Sequence, residues 1–445
     1  MSAWKACDLR GPAPSEVSPE LFRRIGRAVA AALPPAARVL VAGDFRLSTP
    51  ELKRALVAGL GGLEVLDAGQ IPTPVAYFAH KRFRTDGVLI VTASHNPPDH
   101  NGLKLMLGAL PPLPEDFERL RRLAEEAGSG PEGSSRPVDP VPAYRQWMEE
   151  RWRGGPALRV VLDAGNGAWS RLGPEVFSSL GFDVAPLFCE IDGRFPNRAP
   201  DPARAENLSA LCAEVKRSGA ALGIAWDGDG DRVAFADETG RVVRADEMAV
   251  LLARRLLQPG DKMVYDIKLS DVVRRAAAGM GAVPLMERSG HSFIKRRMIE
   301  ENGALGCEIS GHYFYRELGG GDDGLFTALL VSRMVSEWGP LGELRKSVPP
   351  IFATPDLRIP AAEISYTELT ARLRRLFPAA RVSSLDGLRL ETGQGFVLAR
   401  QSVTEAAVTL RLEGFSREDF EALRAQCLDA LPEVAHSIQE QSERA

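Results

Sequence analysis

Three times in this chain a run of apolar residues ends on an aspartate and leads toward a helix-like stretch: Val39-Leu40-Val41-Ala42-Gly43-Asp44, Arg159-Val160-Val161-Leu162-Asp163 and Lys262-Met263-Val264-Tyr265-Asp266. Unbroken apolar runs of this length fit strands buried on both faces, and strands alternating with helices build α/β layers. In each block a second strand then enters a polar loop: Thr92-Ala93-Ser94-His95-Asn96-Pro97, then Asp227 to Arg232, then Cys307-Glu308-Ile309-Ser310-Gly311-His312. The pattern predicts three related α/β domains, each offering one loop where open α/β sheets bind ligands. A chain of 445 residues is too long for one hydrophobic core. The expected domains are residues 1–141, 142–246 and 247–352, followed by a smaller α+β domain over 353–445 with strands near Phe396-Ala399 and Val408-Leu412. Gly128 to Pro137, rich in Gly, Ser and Pro, reads as the first linker. Ser18-Pro19, Thr49-Pro50 and Thr73-Pro74 each place a capping hydroxyl before a proline suited to a first helical turn.

A formal net charge of −4 argues against general nucleic-acid binding, which depends on clustered cations, but leaves room for a local basic pocket. Five scattered cysteines without a Cys-x-x-Cys pair fit a reducing cytoplasm. No long apolar run suggests a membrane span, and Asp8 and Arg10 interrupt the N-terminal stretch, so a soluble cytoplasmic protein is expected.

The chemistry concentrates in Asp227-Gly228-Asp229-Gly230-Asp231-Arg232. Three like charges within five residues repel one another unless a divalent cation sits among them. A calcium loop of the EF-hand kind is one alternative, since Glu238 falls at its twelfth position; Arg232 stands where that loop needs glycine, and the flanks read as strands. A catalytic hard-cation loop, with the arginine and the metal sharing a phosphate, is the better fit.

The other loops are individually weaker. Ser94 follows a buried strand and is either a turn residue or a phosphoserine whose oxygen completes the metal site; a hydrolase is disfavoured, because Gly-x-Ser-x-Gly is absent and adjacent Ser94 and His95 do not easily form a nucleophile-base pair. Lys104 is a solvated strand lysine or a general acid/base. His291 and Lys295, four apart, share a face if their segment is helical. Glu308, Ser310 and His312 around Gly311 suit hydroxyl-rich ligands. Arg400, with Ser402 and Thr404 at alternate positions, is a plausible cradle for a phosphate that does not react.

Taken in order, these loops resemble the α-D-phosphohexomutase superfamily, most closely its bacterial phosphomannomutase/phosphoglucomutase branch. The likeness runs from Cys7-Asp8-Leu9-Arg10-Gly11 through Gly43-Asp44-Phe45-Arg46-Leu47-Ser48, the Ser94 loop with Asn101-Gly102-Leu103-Lys104, Asp227 to Arg232, Asp266-Ile267-Lys268, Ser289-Gly290-His291-Ser292 and Glu308 to His312, to Arg400-Gln401-Ser402-Val403-Thr404. The resemblance implies four domains around a central cleft and a phosphorylated Ser94. It implies Mg2+ on Asp227, Asp229, Asp231 and that phosphate, with interconversion of hexose 1- and 6-phosphates through a hexose 1,6-bisphosphate that also serves as activator. It assigns His95, Lys104 and Arg10 to acid/base and charge-stabilising roles, and Arg232 and Lys268 to active-site positions. Glu308 and Ser310 become sugar-hydroxyl contacts, His291 and His312 other substrate contacts, and Arg400, Ser402 and Thr404 a phosphate site. Hexose phosphates are then the small-molecule partners of a monomer or dimer, with no nucleic acid or membrane. Cys7 stands where the family usually has an aromatic residue, and Val403 and Ala406 where it has Asn and Pro; Ile309 fits the mannose/glucose branch. Phosphoglucosamine mutase and a sugar-phosphate binding protein without turnover are the alternatives.

Overall fold

A computed structural model of the chain describes residues 3–154, 157–401 and 407–443. Six strands, β1 (Leu9–Pro12), β2 (Arg38–Gly43), β3 (Glu64–Gln70), β4 (Gly87–Val91), β5 (His100–Leu107) and β6 (Ser135–Pro137), make a first sheet in the order β1-β5-β4-β2-β3-β6. A second sheet has the order β11-β10-β9-β7-β8, from β7 (Arg159–Asp163), β8 (Asp183–Leu187), β9 (Leu222–Trp226), β10 (Val233–Asp237) and β11 (Val242–Val243). A third has the order β13-β12-β14-β15-β16, from β12 (Lys262–Asp266), β13 (Val283–Glu287), β14 (Leu305–Cys307), β15 (Tyr313–Tyr315) and β16 (Gly321–Asp322).

Within each sheet the same four strands recur. The aspartate-ending strand (β2, β7, β12) lies parallel to the strand after it and to the one after that. The last of these then turns back antiparallel (β4–β5, β9–β10, β14–β15). The three polar loops are these three turns, so they occupy equivalent places in three copies of one unit. The sequence pattern undercounts the unit by one strand, because β3, β8 and β13 intervene before the loaded strand. Val39–Val41 and Leu89–Val91 have no exposed surface, as runs buried on both faces require.

The fourth sheet is antiparallel, with β17 (Phe352–Ala353), β22 (Ala407–Gly414), β21 (Gly395–Gln401), β20 (Leu388–Glu391) and β19 (Arg381–Ser383) in order and β18 (Leu357–Pro360) also against β22. It has its own apolar core of Leu357, Leu390, Leu410 and Cys427, while one face of the first unit joins the second and third in one continuous core that includes Ile90, Trp169, Trp226 and Phe326. No helix among the described residues is long and apolar enough to cross a membrane.

Two local expectations need correcting. The Gly128–Pro137 stretch is not a free linker, because β6 within it pairs parallel to β3. Of the three capping hydroxyls, only Ser18 caps, accepting the Leu21 amide at 3.2 Å. Thr49 and Thr73 lie inside their helices, Thr49–Gly59 and Thr73–Phe83, and donate instead to Asp44 (2.7 Å) and Asp229 (2.8 Å). Proline at the second position sets each helix start, which leaves the hydroxyl free to reach a carboxylate.

Candidate active site

Ser94 lies early in the loop that leaves β4, with no exposed surface and a left-handed backbone, φ +50°. A serine held there is strained by the contact of Cβ with the backbone, so the surroundings must fix it. They do so through Arg46, a fully buried guanidinium. Its Nη2 donates to the carbonyls of Ser94 (2.8 Å) and Asn96 (2.7 Å), its Nη1 to those of Pro97 (2.5 Å) and His100 (3.0 Å), and its Nε to Asp44 (3.1 Å). Asp44 in turn accepts from Thr92, whose hydroxyl receives the Ser94 amide.

Ser94 Oγ donates to Asp227 Oδ2 at 2.6 Å. The acidic loop joins two antiparallel strands, which excludes the helix-flanked calcium alternative. Its glycines are obligatory: at Gly228 a Cβ would lie 2.5 Å from the Ser94 carbonyl, and Gly230 (φ +86°) packs its backbone against Trp169, whose indole N–H donates to the Gly230 carbonyl at 2.7 Å. Asp227, Asp229 and Asp231 are at most 1 % exposed, and carboxylate oxygens from the three lie within 4.8 Å of one another. Asp229 Oδ1 and Asp231 Oδ1 have no hydrogen-bond partner. Buried, unpaired and mutually repelling oxygens are the donor set a hard divalent cation satisfies. Burial, then the neighbouring Asp229 and Asp231 charges, push the Asp227 carboxyl above the usual carboxylate range.

Lys104 is not a solvated strand lysine. Its Nζ donates to Asp229 at 2.7 Å and to Asp231, and although burial works against the ammonium, those two carboxylates raise its pKa above the ordinary value. Arg10 bonds Asp8 (2.7 Å) and the side chain of Asn96 (3.3 Å), which brings it beside the Ser94 loop. His95 Nδ1 lies 3.3 Å from Ser94 Oγ, a contact the sequence pattern disfavours for neighbouring residues; the left-handed turn at Ser94 breaks the extended alternation that would part them. Burial, then Arg232, Arg10 and Lys104, depress the His95 pKa and keep the ring neutral.

Arg232 Nε donates to His312 Nε2 at 3.0 Å. Arginine cannot accept, so that nitrogen is unprotonated and the His312 proton sits on Nδ1, 2.7 Å from Asp322 Oδ2. His291 Nε2 lies 3.2 Å from the other oxygen of Asp322. Glu308 Oε2 and Ser310 Oγ are buried without partners, as groups awaiting a ligand's hydroxyls would be.

Arg10, His95, Lys104, Arg232, His291, Glu308 and His312 all line one cleft of about 320 Å3. Lys268 and Arg400 do not reach its wall: Lys268 lies 3.4 Å from Asp356 and Arg400 2.7 Å from Asp386. Ser402, Thr404, Val403 and Ala406 lie outside the described residues. Sequence reasoning assigned no role to Arg46 or Asp322. Arg46 sits inside a motif that carried the family resemblance, but its partners are backbone carbonyls some fifty positions away. Asp322 follows three glycines, with no local sign that it bridges two histidines.

Three copies of one α/β unit, with a serine and three aspartates buried together behind the His95 and Lys104 wall of a cleft that a glutamate-histidine loop also lines, and a fourth antiparallel domain, define the α-D-phosphohexomutase superfamily. Residues 2–128, 145–240 and 244–352 match domains I, II and III of the family described as phosphoglucomutase/phosphomannomutase. The chain is 34% identical to a phosphomannomutase/phosphoglucomutase of Pseudomonas aeruginosa, covering 98% of this chain and 97% of that one. It is also 34% identical to a phosphoglucomutase of Neisseria gonorrhoeae, with 98% of each covered. The crystal structure of a phosphoglucomutase/phosphomannomutase family protein from Burkholderia thailandensis superposes with a TM-score of 0.87 at 34% identity over 98% of each chain. The chain belongs to the phosphoglucomutase/phosphomannomutase family.

Proposed function

We propose that this enzyme interconverts hexose 1-phosphate and hexose 6-phosphate, of mannose or glucose or both, with Ser94 as carrier of the phosphoryl group. The observation that carries the reading is the 2.6 Å bond from Ser94 Oγ to the buried three-carboxylate cluster. Asp227, Asp229 and Asp231 would hold Mg2+, together with an oxygen of the Ser94 phosphate. When bound, the ion would withdraw charge from the transferring group. The free hydroxyl of the sugar takes the phosphoryl group as the bond to Ser94 Oγ breaks. This leaves a hexose 1,6-bisphosphate, whose other phosphate then returns to the serine.

The residues divide the work. The proton released by the sugar hydroxyl ends on Ser94 Oγ, and His95, neutral and 3.3 Å from that oxygen, is placed to relay it there and to take it up again when the other phosphate returns to the serine. Lys104, Arg10 and Arg232 bring positive charge to the oxygens where negative charge develops. Glu308 and Ser310 take adjacent sugar hydroxyls, while His291 and His312 touch the substrate from the wall that Asp322 fixes. Arg400 and Lys268, with Ser402 and Thr404, serve the phosphate that is not reacting. Intact mass and peptide mapping test the carrier role. Purified protein, or protein incubated with Mg2+ and hexose 1,6-bisphosphate, should gain one phosphate at Ser94. In Ser94→Ala that species should be absent and turnover lost. Turnover persisting in the variant would refute the reading, and rates on mannose, glucose and glucosamine phosphates would fix the sugar.

A further inference from the structure

Behind the cleft lies a second cavity, of about 510 Å3, and the two share Tyr77 as a wall. Its lining comes from all three repeated units. Lys81, Arg82 and Arg84 lie at and just beyond the end of the Thr73–Phe83 helix, Trp147 lies on the Val141–Arg151 helix, and Lys295 on the His291–Glu300 helix. A volume of this size is that of a small-molecule site.

Lys295 makes the cavity unusual. It is 4 % exposed and its Nζ has no hydrogen-bond partner. The ammonium rests instead 3.1 Å from the centroid of the Tyr77 ring. A cation–π contact offsets part of the cost of burying a charge, but a buried ammonium without an anion remains expensive. The acidic residues of the wall offer little relief, because each is already engaged. Glu317 holds Arg151 (2.5 and 3.1 Å), Asp322 holds His291 and His312, and Asp323 accepts from the Tyr144 hydroxyl and from the Leu325 and Phe326 amides. Among the described residues Lys81 bonds the Leu318 carbonyl and no carboxylate. Burial accordingly draws Lys295 down to about 7, despite the attraction of Asp322. The cavity therefore gathers one buried, unpaired ammonium and three exposed cations, Lys81, Arg82 and Arg84, while its three carboxylates are held by other partners. Phe78 and Trp147, partly exposed and packed together at 5.7 Å between ring centroids, line the same cavity.

We propose that this cavity is a second ligand site, which takes a small multiply charged anion bearing a planar ring, the chemistry a nucleotide presents. Its phosphates meet Lys295, Lys81, Arg82 and Arg84, and its ring lies along Trp147 and Phe78. Occupancy is felt in the cleft through Tyr77. The face of that ring holds Lys295, and the ring also stacks with His291 (6.3 Å, 19°), which faces the substrate in the proposed function. A phosphate that draws Lys295 from the ring alters the support of His291. Binding at the cavity does not depend on the mutase reading, whereas the effect on substrate does.

The test is calorimetric titration of the full-length protein with ADP, in the presence of Mg2+ and with the cleft saturated by hexose 1,6-bisphosphate. One further ADP site is expected. It should weaken at least ten-fold in Arg82→Ala/Arg84→Ala, a change at two exposed side chains, and in Lys295→Met. Adenosine and inorganic pyrophosphate should each bind at least ten-fold more weakly than ADP. In mutase assays ADP should change the KM for hexose 1-phosphate in the wild type and not in Arg82→Ala/Arg84→Ala. No ADP binding with the cleft filled, binding unchanged in the double variant, or pyrophosphate binding as tightly as ADP would each overturn the proposal. Absence of mutase activity, with the ADP site intact and sensitive to Arg82 and Arg84, would strike only the proposed function.

Discussion

The loop between β4 and β5 and the loop between β14 and β15 hold equivalent places in two copies of one unit, yet they are built in opposite ways. The first is bound into the protein from behind: Arg46 grips three of its carbonyls and that of His100 at the head of β5, and Ser94 is kept in a conformation it would not choose. The second is tied mainly through its backbone. The Glu308 amide donates to His312, the Gly311 amide to Glu308, and the Val233 amide to the Gly311 carbonyl, while Glu308 Oε2 and Ser310 Oγ stay unsatisfied. The difference fits the roles proposed for the two loops, Ser94 as the reacting group and the Glu308 loop as the recognition surface. A reacting oxygen must be held within a fraction of an ångström before substrate arrives, because misplacement is lost directly from the rate. A recognition loop gains by leaving its polar atoms open, since each is then completed only by the right ligand.

The comparison breaks most easily at Arg46. In Arg46→Lys one ammonium replaces a planar fork, and it cannot serve four carbonyls and Asp44 together. Several buried acceptors lose their donors, each at a cost of about 1–3 kcal/mol. Turnover should fall about 100-fold with KM for hexose phosphate nearly unchanged, because the loss is one of positioning and not of substrate contact. Steady-state kinetics with circular dichroism to confirm folding would check this. A KM rise larger than the kcat loss would mean that Arg46 supports recognition, and the contrast between the loops would fail.

Glu308→Gln probes the other side at a smaller scale. The substitution keeps the shape and removes one charged acceptor, so KM should rise about ten-fold, in line with about 1.5 kcal/mol for a hydrogen bond to a charged group, while kcat changes little. Phosphorylation of Ser94 by hexose 1,6-bisphosphate at saturation should proceed at the wild-type rate. A kcat loss with KM intact would place Glu308 among the reacting groups.

What the sequence disclosed divides along the same line. The three buried strands, each ending on an aspartate, were legible because a short unbroken apolar run between polar turns belongs in the middle of a covered sheet. The Asp227 loop was legible because three like charges so close together call for a cation among them. Both signals are local. Arg46 was opaque because its partners are peptide carbonyls contributed by folding, and an arginine in a loop carries no mark of being buried. Thr49 and Thr73 looked like caps for the same reason: their destinations, Asp44 and Asp229, become neighbours only in the folded chain. Ser94 and His95 part from one another in extended geometry, and one positive φ brings them together. Asp322 shows the limit most clearly, since its function is to join His291 to His312, and both lie outside its own strand β16.

An effect on stability and not on turnover concerns how the recognition side is joined to the fourth domain. Glu413 on β22 crosses to the third unit, where Oε1 accepts from Ser270 Oγ and the Asp271 amide, both at 2.8 Å. Its Oε2 is buried and unpartnered, and burial pushes its pKa from 4.5 up to about 6. The folded protein therefore binds this proton more tightly than the unfolded chain does. The stabilisation is complete below the unfolded pKa, is lost as pH rises through about 6, and amounts to about 2 kcal/mol from the shift. Glu413→Gln keeps the Oε1 acceptor and removes the charge, so the difference in urea stability between variant and wild type should grow in the variant's favour from about pH 4.5 to about pH 7. Exchange at the Asp271 amide should slow in parallel if the two domains part there first. A stability difference that stays flat across that interval would show that Glu413 is ionised and satisfied in place, and that the junction, like the Ser94 loop, was built closed.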